Sequence, residues 1–306
     1  MPSTELGVEP MIAQLINALV LGSVLLLFSL GLSLAWGTLD VLNLAHGALF
    51  IFGGYLGYRI GLSAAWPFPV VIIVAMIGAG LAAVVIEVVA FGPIRSRIVN
   101  KRQAELAALV ASLGASIVLG QLISNWTQNS IFTPSPKIFE TQTYDIAGVR
   151  IGNIDIIITV VAIAVAVAVQ VWVSRSRHGR AVRALAYAPR VAALMGVNVR
   201  LLAIATMFIS GAMAGLAGLL LSFKISGETV STGDTYMLSA FSIIVVGGVG
   251  SILGAAVASY VIALAETAII AYGPSGYSTG VAFALIFAFL LFRPQGLFAR
   301  RVTERV

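Results

Sequence analysis

Apolar residues run through this chain in long blocks separated by short polar stretches. Blocks of about 20 residues are long enough to cross the hydrocarbon core of a bilayer as helices. They fall near residues 11–36, 41–60, 67–91, 105–124, 154–173, 201–222, 251–272 and 278–292. A shorter apolar run, about 238–249, ends at Gly250 and reads as a half-helix or a short full crossing. The pattern therefore predicts an all-α fold, a polytopic transmembrane helix bundle of about eight long spans plus one short or half-helix element.

Composition narrows the class. Of 306 residues, 59% are hydrophobic and 10% charged, whereas a soluble domain carries roughly 25% charged residues. Cysteine is absent, which excludes disulfides, thiol nucleophiles and Cys-ligated metals. The only histidines are His46 and His178, in unlike settings, so a His-rich metal site is not available. The net charge of +6 fits positive-inside topology better than nucleic-acid binding. The first ten residues carry Glu5 and Glu9 and no basic stretch, unlike a cleaved signal peptide.

Basic residues cluster in three places: Arg95, Arg97, Lys101 and Arg102; residues 175–200; and Arg293, Arg300, Arg301 and Arg305. All three are expected on the cytoplasmic side. Residues 125–153 are polar but carry little positive charge, which suits the outside. This places the N-terminus outside and, if 238–249 counts as a crossing, the C-terminus inside. Gly53 and Gly57, Gly211 and Gly215, and Gly250 and Gly254 are each four apart. Small residues at that spacing let helix backbones approach closely, within the subunit or at a subunit interface.

Residues 174–200 hold six arginines between two apolar helices. Gly179 can open a short helix, Pro189 suits the first turn of a second, Gly196 can end it, and Asn198 can cap the next membrane helix. Ala181, Ala184, Leu185 and Ala188 then share one face by helical spacing, and Arg180, Arg183 and Tyr187 another. One face can rest on the bundle while the other meets a partner.

The run GRAVRALAYAPRVAALMGVNVRLLAIATMFISGAMAGLAG resembles the ATPase-coupling loop and following helix of branched-chain amino acid ABC permeases, the LivH group. So do LGSVLLLFSLGLSLAWGTLDVLNLAHGALFIFGGYLGY (residues 21–58), VVGGVGSILGA (245–255) and the ending FRPQGLF (292–298). The resemblance implies a single permease domain over residues 1–306, with a cytoplasmic coupling loop at 175–200, in a bacterial inner membrane. It implies no enzymatic activity and no cofactor on this chain; ATP with Mg would sit on partner subunits. Those partners would be a second, LivM-like permease, two cytoplasmic ATPases and an extracytoplasmic solute-binding protein, with lipid around the bundle. The coupling set would be Gly179, Arg180, Arg183, Tyr187, Pro189, Arg190 and Gly196. Relatives often carry acids where this chain has Tyr187 and Arg190, and Glu where Ala48 stands.

Candidates for the solute path are polar residues in apolar surroundings. Asn43, His46, Phe50, Gly53 and Gly57 fall on one face by spacing; either they line or gate the path, or Asn43 and His46 tie a helix junction. Glu87 lies near Arg95 and Arg97 in sequence and can reach them. Glu266 has no basic neighbour in sequence and is the better candidate for a substrate ammonium. Gln121 is a weaker candidate, with Ser112 and Ser116 on the same span. The stretch holding Gly247, Gly248, Gly250 and Gly254 lacks the Lys-Ser/Thr of a phosphate loop. It reads as a helix break, formed either as a tight turn or as unwound backbone at a cavity.

The leading expectation is an ABC importer permease moving branched-chain or other hydrophobic amino acids by alternating access; urea, short amides or small organic acids are alternatives. An ion-coupled secondary transporter would need paired intramembrane charges of both signs. An intramembrane enzyme would need a nucleophile–base pair or a metal cluster, for which the spans supply little.

Overall fold

The computed structural model describes residues 8–272, except 64–65, 99, 147–148 and 226, together with residues 280 and 284. Helix α1 (Val8–Leu39) is followed by α2 (His46–Ser63) and α3 (Phe68–Ile86). A π-helical turn, Glu87–Phe91, joins α3 to the short α4 (Gly92–Arg97). Then come α5 (Lys101–Trp126), a hairpin of β1 (Thr143–Ile146) and β2 (Val149–Gly152), and α6 (Asn153–Arg175). The short α7 (Arg177–Tyr187) and α8 (Pro189–Leu194) precede α9 (Val199–Lys224), α10 (Val230–Gly247) and α11 (Ile252–Tyr272).

Among the described residues, seven helical stretches are long and apolar enough to cross a membrane. The chain is a multi-pass helical membrane protein. The antiparallel hairpin, with Thr143 opposite Gly152, is the one departure from an all-helical reading in this part of the chain. The run expected as a half-helix or a short full crossing at 238–249 is the second half of α10, which begins at Val230 and is long enough to cross. Ser231, Thr232, Asp234 and Thr235 hide that start from a hydropathy reading, while Thr232 Oγ1 accepts from the Thr229 N–H at 3.2 Å and closes the first turn. The expected span at 278–292 and the basic C-terminal cluster lie outside the described residues, apart from 280 and 284.

Helices α1 and α9 form the centre and are buried along most of their length. Helices α2 and α3 pack on α9, α11 packs on α1, and α10 bridges α2 and α11. Large aliphatic side chains point outward along α3, α5 and α6, among them Leu81, Ile117 and Val160. Lipid tails are as apolar as these residues, so burial alone cannot hold the helices together; close packing must. The glycines supply it. A Cβ on Gly53 would run into the backbone of Gly215 where α2 crosses α9, and one on Gly211 into Ala79 and Ala83 of α3.

The glycine-rich break between α10 and α11 is a tight turn and not an unwound stretch. Gly247 is the last residue of α10, and its backbone lies against that of Gly254 on α11. Gly248 ends the helix at φ +97°, with its N–H donating to the Ile244 carbonyl at 2.8 Å. The Gly248 carbonyl in turn accepts from the Ser251 N–H at 3.1 Å, which closes the turn. Gly250 sits not on a helix with Gly254, as its spacing suggested, but within this turn, at φ +75° and against Gly37 of α1. Positive φ at Gly248 and Gly250 favours residues without a Cβ.

The π-helical turn has a local cause. Pro93 has no N–H to give, and the preceding Gly92 N–H reaches back five residues to the Glu87 carbonyl. The widened turn sits where the apolar helix meets the basic residues that follow it.

Candidate functional site

Two regions carry the functional candidates: the middle of the bundle and the α7–α8 elbow. In the middle, α1 ends at Asp40, which adopts φ +55° and ion-pairs with Lys101. The chain then turns back toward the bundle before α2. Asn43 precedes α2 rather than sharing its face; its Oδ1 accepts from the Ala45 N–H at 3.1 Å. The Leu44 N–H donates to Ser112 Oγ at 3.1 Å, which ties this turn to α5.

His46 opens α2 fully buried. Its Nε2 lies 3.0 Å from the Phe28 carbonyl, which can only accept, so Nε2 carries the hydrogen. The ring stacks on Phe28 at 4.7 Å, Phe28 meets Phe50 at 4.8 Å, and Phe50 stacks on Tyr236 at 5.4 Å. This column fills the space between α1, α2 and α10. The polar atoms left over within it, Asn43 Nδ2 and His46 Nδ1, have no hydrogen-bond partner among the described residues.

The two carboxylates singled out from sequence are separated. Glu87, nearly fully buried, ion-pairs with Arg95 across the π-helical turn. Glu266 of α11 accepts from Ser239 Oγ of α10 at 2.7 Å. Gln121 does not join them: it is exposed on α5 and donates to Asn125 at 3.0 Å.

Two buried acids, Glu228 and Asp155, are not among the candidates drawn from the sequence. Glu228 lies in the linker between α9 and α10 and is fully buried, with neither carboxyl oxygen hydrogen-bonded among the described residues. Its backbone pairs with Phe132 through N–H···O contacts of 3.1 and 3.0 Å, and its side chain fills the space a Cβ on Gly54 would need. It stands in a polar stretch, where hydropathy does not reveal burial. Lys224, paired with Asp155 at 2.6 Å, was missed for the same reason. That pair borders a cavity of about 430 Å³ beside the hairpin, with Phe139, Arg150 and Phe223 also in its wall.

The elbow between α6 and α9 folds as two short helices. Helix α7 starts at Arg177, two residues before the glycine expected to open it, because Ser176 caps it by accepting from the Gly179 N–H at 2.8 Å. Gly179 lies against the carbonyls of Trp172 and Val173, where a Cβ would collide. Pro189 occupies the first turn of α8, Gly196 ends the elbow at φ +85°, and Asn198 caps α9 by accepting from the Leu201 N–H at 3.0 Å.

The faces of α7 differ from the expected ones. Gly179, Val182 and Leu185 are buried, while Ala184 is exposed. Arg183 is not on the open face: its guanidinium turns inward and donates to the Val173 carbonyl at the end of α6. Such end-of-helix carbonyls lack intrahelical donors, and a nearby arginine satisfies them. The outward surface is made of Arg177, Arg180 and Tyr187 on α7, continued by Val191, Leu194 and Met195. Leu194 is 86% and Met195 80% exposed. Behind α7 a second cavity of about 430 Å³ opens between α1, α6 and the α10–α11 turn, lined by Ser33, Thr38, Gln170, Arg183 and Ser251 among others.

The family described as "branched-chain amino acid transport system / permease component" matches residues 14–290. The high-affinity branched-chain amino acid transport permease LivH of Salmonella typhimurium is 30% identical, covering 96% of this chain and 97% of that protein. BraD of Pseudomonas aeruginosa, a permease described in the same words, is also 30% identical with the same coverage. The probable LivH of Methanocaldococcus jannaschii is 28% identical over 96% of this chain and 93% of its own. Among solved structures, PsaBC from Streptococcus pneumoniae in complex with Fab aligns over 92% of this chain and 90% of that one, at 16% identity and TM-score 0.49.

Proposed function

This chain belongs to the family of branched-chain amino acid transport permease components, and from that membership we propose that it forms one membrane half of an ATP-driven importer. The other half is a related permease. Two ATPases sit on the cytoplasmic side, carry the ATP and Mg, and do the hydrolysis; a soluble binding protein delivers solute outside. The cargo is a branched-chain or other hydrophobic amino acid, and the membrane is the bacterial inner membrane. The chain itself performs no bond chemistry.

The observation that carries this reading is the two-sided elbow. One face of α7 is seated on α6, α1 and α9 through Val182, Leu185 and the Arg183 tie. The outward surface of the elbow exposes Tyr187 on α7 and Leu194 and Met195 at the end of α8, beside Arg177 and Arg180. Large apolar side chains at such exposure, rimmed by charge, fit a protein-docking site. A soluble partner that moves the elbow acts directly on α1 and α9, the two central helices. Rocking α9 against α2 and α3 at their glycine contacts alternately opens the inner and outer ends of the bundle around a central site. The His46–Phe28–Phe50–Tyr236 column stands at the middle of that route and acts as its closure.

Affinity purification tests the assembly. The wild-type chain is expected to bring down an ATPase and a second permease. The pair Leu194→Asp and Met195→Asp, both at solvent-exposed positions, should change stability by no more than about 0.5 kcal/mol. It should lose the ATPase and keep the second permease. Ion-gradient-driven uptake by this chain alone, indifferent to ATP, would sink the reading.

A further inference from the structure

A third cavity, of about 490 Å³, lies beside the π-helical turn, between α4 and the start of α9. Its wall includes Glu87, Arg95, Arg97 and Arg200, with Val88 and Ile204 on the apolar side. Glu87 and Arg95 neutralise each other. Arg97 and Arg200 have no carboxylate within ion-pair distance among the described residues, and Arg95 Nη1 is buried with no acceptor there. The cavity thus holds two uncompensated positive charges and an idle buried donor.

The cavity is also the end of an apolar track. Ile73, Ile77, Leu81, Val85 and Val89 of α3 and the π-helical turn recur every four residues, and all five are exposed. Residues four apart are neighbours on a helix surface, so the five form a continuous exposed strip, a ridge that winds slowly about the axis. On α9, Leu201 extends the apolar surface from the other side. A ligand that satisfies both features has an anionic head and a long apolar tail.

We propose that this cavity binds the phosphate-bearing headgroup of an anionic phospholipid, with an acyl chain lying along the α3 strip. The arginines form bidentate hydrogen bonds with phosphate oxygens. A zwitterionic headgroup fits poorly, because its ammonium adds positive charge beside Arg97 and Arg200. Basic pockets between membrane helices on the cytoplasmic side suit such headgroups, since that leaflet carries the anionic lipid. The bound lipid wedges the widened turn against α9, one of the two central helices. The inference stands apart from the identity of the cargo.

Native mass spectrometry of the intact transporter complex tests it, with phosphatidylglycerol, phosphatidylethanolamine and inorganic phosphate added separately. Phosphatidylglycerol is expected to stay bound where phosphatidylethanolamine leaves. Each arginine near the surface is worth about fivefold in anionic-lipid affinity, so Arg97→Gln should weaken retention about fivefold and the pair with Arg200→Gln roughly 25-fold. The pair Arg97→Lys and Arg200→Lys should recover most of it. Val89→Asn, at a 72% exposed position on the strip, should weaken lipid retention without touching the arginines. Equal retention of both lipids, or no loss in the double glutamine variant while it remains assembled, would overturn the proposal. So would displacement of the lipid by millimolar phosphate, which marks a free-anion site, or a protein subunit found covering the strip.

Discussion

Replacing Gly53 with alanine is the sharpest test of how the bundle is held. The added methyl would point at the Cα, carbonyl carbon and oxygen of Gly215 on α9. A flexible side chain could rotate away, but backbone cannot, so α2 and α9 must separate. Overpacking a tight contact costs about 1–3 kcal/mol. Against this, alanine gains about 1 kcal/mol over glycine in helix propensity. The net expectation is a loss of up to about 2 kcal/mol, with the Phe28–Phe50–Tyr236 column disturbed next to it. Gly114 on α5 supplies the control, since a Cβ there meets no atom within 4 Å. Gly114→Ala keeps only the propensity gain of about 1 kcal/mol. The two variants should therefore diverge by the overpacking cost, about 1–3 kcal/mol, in thermal unfolding of the purified chain, followed by tryptophan fluorescence in one detergent. Equal shifts in the same direction would show that the α2–α9 crossing is looser than the contact implies.

Other substitutions probe separate joints. Alanine at Glu87, at Arg95 and at both should give a double-mutant coupling of about 0.5–3 kcal/mol, read by the same unfolding assay. Ser239→Ala leaves the buried Glu266 carboxyl without its donor and should cost about 1–3 kcal/mol, with Ser239→Thr restoring part of it. Gly250→Ala forces a Cβ into a left-handed backbone conformation, at about 1–2 kcal/mol, and should loosen the α10–α11 turn to protease.

Much of this architecture was legible in the sequence because lipid imposes simple demands. Long apolar runs had to become helices, and Gly53 on α2 with Gly211 and Gly215 on α9 pack against backbone as their spacing allows, while Gly57 faces the Leu219 side chain. The punctuation of the elbow was equally local: Pro189, Gly196 and Asn198 act within their own turns. Other features depend on long-range contacts that periodicity does not encode. The phase of α7 was misjudged because Arg183 was counted as polar and therefore outward, whereas the free carbonyl of Val173 draws it in. The length of α10 was hidden by its polar first turns. Whether Gly247 and Gly248 unwind or turn was open in the sequence, because the contact of Gly250 with Gly37 that folds the turn back comes from α1. Glu228 was invisible because its burial comes from α2 at Gly54, and from a backbone pairing with Phe132 across a long stretch of chain. Asn43 and His46 left two readings open, one helix face or a tie at a helix junction; the helix begins at His46, and the hydrogen bond from Ala45 places Asn43 at the junction before it.

The central claim is that a partner's ATP cycle moves this chain through the α7–α8 elbow. Proteoliposomes holding the full complex, with the binding protein and radiolabelled leucine outside and ATP within reach of the ATPases, measure it directly. Uptake should require ATP hydrolysis, ignore proton and sodium gradients, and vanish when Leu194→Asp and Met195→Asp are introduced. Uptake that persists without ATP under an ion gradient, or that is undiminished by those two substitutions, would contradict the account.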